Sequence, residues 1–80
     1  MFINKSKDGR NNISGKQISI LRKKLGISQR ALAERMQLLG LDIDKNAIQR
    51  IESGQRFMTD IELSLFAICF QTTADELLKG

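Results

Sequence analysis

At 80 residues, 41% hydrophobic and 28% charged, the chain has the make-up of one small globular domain; with no Trp, Tyr or Pro and only four Phe, aliphatic side chains must fill its core. The absence of His removes a histidine-based metal site or catalytic base, and a single cysteine, Cys69, removes an intramolecular disulfide. Thirteen Lys and Arg against nine Asp and Glu give a net charge of +4, which suits a polyanionic partner and equally suits plain solubility.

Residues 1–12 are polar and carry Lys5, Lys7, Arg10, Gly9 and asparagines. With three asparagines in all (Asn4, Asn11 and Asn12), they read as a flexible basic arm, either a solvated tail or a segment that meets a polyanion. Residues 13–80 read as the folded domain. Ile18, Leu21 and Leu25 recur at helical spacing with Arg22, Lys23 and Lys24 between them, which predicts a first helix over 14–25. Ser14 is its expected cap and Gly26 its stop. Ser28 opens a second helix over 28–39, with Ala31, Leu32, Met36 and Leu39 on the apolar side. Asp44 caps a third over 45–53, whose apolar face is Ala47, Ile48 and Ile51 and whose stop is Gly54. Thr59 or Asp60 starts a fourth over 60–70, and Thr73 a fifth over 74–79 with Leu77 and Leu78 facing inward. No strand pattern occurs, so the fold class is all-α.

Apolar runs fall short of the roughly 20 residues that span a bilayer, and the first residues lack a signal-peptide core. The chain is therefore expected to be cytoplasmic and to have no membrane partner. No acid–base pair, activated nucleophile or phosphate-cradling glycine loop stands out. An enzyme, a cofactor, a metal or a small-molecule ligand has nothing specific behind it.

The third helix has two unlike sides. Ile48 and Ile51 suit burial, while Lys45, Asn46, Gln49 and Arg50 present hydrogen-bonding groups outward. A helix that lies in the major groove needs that division, with Arg or Lys suited to guanine and Asn or Gln to adenine. The same four residues would also make an ordinary solvated face.

Two stretches carry a family likeness: Leu21-Arg22-x-x-x-Gly26-Ile27-Ser28-Gln29-x-x-Leu32-Ala33 and Ile48-x-x-Ile51-Glu52-Ser53-Gly54. With the helices around them, over residues 13–79, they resemble the Cro/C1 or Xre family of helix-turn-helix regulators. The resemblance implies a compact five-helix lambda-repressor-like DNA-binding domain that contacts double-stranded DNA. It assigns base contacts to Lys45, Asn46 and Arg50, with Gln49 at the edge of the set. It assigns phosphate contacts to Gln29 at the start of helix 2 and to the turn Ser53, Gly54, Gln55 and Arg56. Such contacts fix register rather than sequence. It also implies a buried salt bridge between Arg22 and Glu52.

One departure from the family pattern is plain. Where the usual motif has a single glycine before the residue matching Ile43, this chain has Gln37, Leu38, Leu39, Gly40, Leu41 and Asp42. A longer helix 2 and a wider connection to helix 3 are expected. In helix 4, Ile61, Leu65, Ile68 and Cys69 are apolar beyond the core positions Leu63, Phe66, Ala67 and Phe70. That excess predicts either a homodimer patch or a core that wraps the whole helix under Phe2 and Ile3. The expected function is a dimeric, sequence-specific transcriptional regulator, most simply a repressor. The alternatives are an antitoxin-like or adaptor module that binds protein, and a nonspecific architectural DNA binder.

Overall fold

The computed structural model describes residues 9–79, and the expectations for Lys5, Lys7, Phe2 and Ile3 lie outside them. The elements are α1 (Gly15–Lys24), α2 (Gln29–Leu38), α3 (Lys45–Glu52), α4 (Asp60–Cys69) and α5 (Ala74–Leu78), with no strand among the described residues. Side-chain caps set four of the starts. Ser28 accepts from the Ala31 amide at 3.0 Å, Asp44 from Ala47 at 2.8 Å, Thr59 from Glu62 at 3.1 Å and Thr73 from Glu76 at 3.2 Å. At α4 the cap is reciprocal, because Glu62 Oε1 accepts from the Thr59 amide at 3.0 Å.

The start of α1 differs from expectation. Ser14 makes no side-chain cap; its hydroxyl points to Met58 Sδ at 3.0 Å. Asn12 takes that role, its Oδ1 accepting from the Gly15 amide at 2.7 Å. The chain just before α1 is also tied down. Arg10, Asn11 and Asn12, which the sequence places in the basic arm, hydrogen-bond to the far end of α3 and the turn that follows it.

All five helices supply the core: Ile18 from α1, Leu32, Ala33 and Met36 from α2, Ile48 and Ile51 from α3, Phe66 and Ala67 from α4, and Leu77 from α5. Burying a side chain of this size contributes about 1.5–3 kcal/mol. Leu25, Leu39 and Leu78 were expected to face inward but lie exposed. Each sits at the last turn of its helix or just beyond it, where a small domain has no neighbouring element to cover it.

The lengthened connection between α2 and α3 is an ordered turn. α2 stops at Leu38, and Gly40 adopts φ +95°, a conformation that L side chains rarely hold. The Leu41 amide reaches back to Met36 O at 3.0 Å, closing the helix end. Ile43 then drops into the core, and Gln37 Nε2 donates to its carbonyl at 2.8 Å. The extra residues therefore lead α3 back onto the same core.

Candidate nucleic-acid interface

On α3, residues 45, 46, 49 and 50 fall on one helical face, and 47, 48 and 51 on the other. Ile48 and Ile51 are fully buried and Ala47 half-buried, whereas Lys45, Asn46, Gln49 and Arg50 are all exposed. Asp44 caps the helix and Asp42 precedes it, both exposed, with Glu34 exposed on α2. An open groove between α2 and α3 is lined by Arg30, Glu34, Gln37, Asp44 and Lys45 with Ala33 as its floor. Charges of both signs thus line the start of α3, Arg30 lying 3.9 Å from Glu34, and the cations Lys45 and Arg50 stand on the helix itself.

Behind that face, α1, α2 and α3 meet at Glu52. Arg22 engages its carboxylate through two nitrogens, Nε to Oε2 at 2.6 Å and Nη2 to Oε1 at 3.1 Å. Gln29 Nε2 adds a third bond to Oε1 at 3.0 Å, and Arg22 Nη1 donates to Ile27 O at 2.8 Å. Both charged side chains are largely buried, at 12% and 8% exposure. Burial alone would push the Glu52 carboxyl up; the hydrogen bonds from Arg22 and Gln29, with the Arg22 charge and Ser19, outweigh it and hold the carboxyl below the usual range. The hydrogen bond to Glu52 likewise raises the Arg22 guanidinium against its burial. Gln29, expected at a phosphate, donates its amide group to this internal network.

The turn after α3 is also committed inward. The Ser53 amide donates to Gln49 O at 2.9 Å, Gly54 to Ile51 O at 3.1 Å, and Gln55 and Arg56 to Arg50 O at 2.9 and 3.2 Å. Gly54 is buried at φ +83° under the Arg10 side chain, which a Cβ would meet at 2.8 Å. Close approach and backbone angle together account for the glycine at this position. Ser53 and Gln55 expose their side chains. Arg56 bridges to Glu62 at 2.7 Å and remains partly exposed. Burial raises the Glu62 carboxyl, but the Thr59 amide and the Arg56 guanidinium and charge bring it below its ordinary value.

The apolar residues of α4 divide. Ile61 and Ile68 are 68% and 57% exposed, while Leu65 and Cys69 are half-buried against the core. Only the first two are fully available to a partner. Burial pushes the Cys69 thiol up, opposed by the charge of Arg35.

Sequence reasoning missed Asn12, Arg10 and Glu62. The spacing Thr59-x-x-Glu62 announces the capping box. Asn12 has a cap's spacing to Gly15, but nothing local announces the bonds of Arg10 and Asn12 to carbonyls 39–44 residues away. Among the described residues no cluster could hold a metal ion, and no helix is long and apolar enough to cross a membrane.

A family model described as Helix-turn-helix matches residues 18–77, most of the chain. No curated protein and no solved structure matches.

Proposed function

The chain belongs to the Cro/C1-type helix-turn-helix family of DNA-binding regulators, and from that premise we propose that it is a sequence-specific transcriptional repressor binding duplex DNA as a homodimer. The division of α3 carries this reading: two fully buried isoleucines hold one side, and four exposed hydrogen-bonding side chains form the other. In this proposal α3 lies in the major groove. Lys45, Asn46, Gln49 and Arg50 read base edges, each good bidentate pair discriminating by about 1–3 kcal/mol. Gln29, Ser53, Gln55 and Arg56 border the phosphates and set register. Exposed Ile61 and Ile68 on α4 form the contact to a second copy, which places two recognition helices on successive grooves about one helical turn apart.

The test is selection from a random duplex library at two salt concentrations. Enrichment of an inverted repeat is the expected result. Salt-dependent binding without enrichment would leave an architectural binder, and no salt-dependent binding would leave a protein-binding module.

A further inference from the structure

A helix end leaves its last carbonyls without intrahelical partners. At the end of α3 the carbonyls of Ile51 and Glu52 accept from a segment some 40 residues earlier in the chain. Arg10 Nη2 donates to Glu52 O at 2.7 Å and reaches Ile51 O at 3.4 Å. Asn12 Nδ2 donates to Ile51 O at 3.1 Å and to Arg56 O at 2.7 Å. Between them, the Asn11 amide donates to Gly54 O at 2.7 Å and its side chain to Gln55 O at 2.8 Å. Three consecutive residues thus cover the carbonyls of 51, 52, 54, 55 and 56. Glu52 is held twice, its carboxylate by Arg22 and its carbonyl by Arg10. The Arg10 cation also stands at the negative end of the α3 dipole.

We propose that Arg10 and Asn12 are positioning residues for DNA reading, which clamp the C-terminal end of α3 and fix the angle at which it presents Lys45, Asn46, Gln49 and Arg50. The clamp ends on the recognition helix and its following turn, so its strain or release is felt there first. α3 has only eight residues, and its buried side chains Ile48 and Ile51 lie on one stripe about which a short helix could rock. A binding constellation works only when held within about 0.5 Å and 10–20° of its productive geometry. Asn12 links this clamp to the start of α1, because the same buried side chain accepts from Gly15 and donates to Ile51 and Arg56. The proposal rests on the reading of α3 as a DNA-recognition helix.

The test uses the full chain with Asn12→Asp, which keeps the acceptor for Gly15 and loses both donors to α3 and its turn. Arg10→Lys, which keeps the charge and loses the planar fork, carries the same reading should Asn12→Asp not fold. Two quantities are read: amide hydrogen exchange at Ser53 to Arg56, and preference for the duplex selected by the unmodified chain over a scrambled duplex. The expected result is faster exchange at that turn and a loss of preference of about tenfold, as when one good base contact goes, with affinity for the scrambled duplex unchanged. Faster exchange with preference intact would make the clamp a stability feature and overturn the proposal. Unchanged exchange would overturn the clamp itself. Faster exchange in a chain whose unmodified form prefers no duplex would place the failure in the DNA reading, and the positioning role would fall with it.

Discussion

Gly15, the first residue of α1, lies directly against the carbonyl of Ile51, near the end of α3; a Cβ on Gly15 would overlap that oxygen and come within 2.6 Å of Asn12 Oδ1. The contact sets the amide end of one helix on the carbonyl end of another, so their dipoles attract. It leaves no room for a side chain.

Gly15→Ala should therefore destabilise the fold. In an open helix the change from Gly to Ala gains about 1 kcal/mol. Here overpacking against backbone should reverse the sign and cost about 1–3 kcal/mol. Thermal unfolding reads the outcome directly; a raised Tm would mean that the two helix ends do not meet.

Arg22 and Glu52 should behave as one unit. Removing a single partner from a buried pair strands the other charge, so Arg22→Ala should cost about 3 kcal/mol or more. The double change Arg22→Met with Glu52→Met should cost less than the sum of the single changes, because no charge is left buried. Urea denaturation of the set provides the comparison, and strict additivity would show that the pair is not coupled.

Glu52 and Glu62 predict the acid limb of stability. Both carboxyls are held below their ordinary value in the folded chain, by Arg22 and Gln29 in one case and by Thr59 and Arg56 in the other, against the opposing effect of burial. The stabilisation is present while the groups are ionised and is lost as pH falls through the folded-state values. Stability should be nearly level from neutral pH to about 5 and decline below it. Glu52→Gln should shallow that decline at the cost of lower stability at neutral pH. A variant with an unchanged acid slope would remove Glu52 from the account.

The α4 face has a clean test. Ile68→Glu and Ile61→Glu alter exposed positions, so neither should move stability by more than about 0.5 kcal/mol. If this face joins two copies, either change should yield monomers in sedimentation at concentrations where the unmodified chain is dimeric. An unaltered mass distribution would place the contact elsewhere, for instance around Leu38, which is 88% exposed at the end of α2.

Much of the architecture is legible in the residues because it is local. Ser28, Asp44 and Thr73 announce their helices through oxygens that reach only three residues ahead. Ile48 and Ile51 announce a buried stripe by spacing alone. Legibility ends where a polar side chain has a choice of partners. Ser14 and Asn12 are both suitable caps for α1, and the choice of Asn12 depends on carbonyls of α3 that no window of sequence contains. Gln29 and Arg56 carry groups suited to phosphate, yet each also finds an internal carboxylate, Glu52 and Glu62 respectively. Leu25 and Leu78 continue an apolar rhythm past the point where anything covers them. Periodicity identifies a face and says nothing of where the neighbouring element stops.

The brevity of α3 has a consequence for how the protein responds to heat. Eight residues are too few for a helix to persist alone in water, where roughly 12–15 are needed even for favourable sequences. Its shape is lent to it by Ile48 and Ile51 below, Arg22 at one side and Arg10 with Asn12 at its end. The surface proposed to meet DNA thus has no existence apart from the whole fold. Every molecule that unfolds leaves the binding-competent pool, and apparent affinity is scaled by the folded fraction. Warming through the unfolding transition would then release a bound site as a cooperative event, with the width of that transition, rather than any separate sensor, setting how sharply occupancy falls.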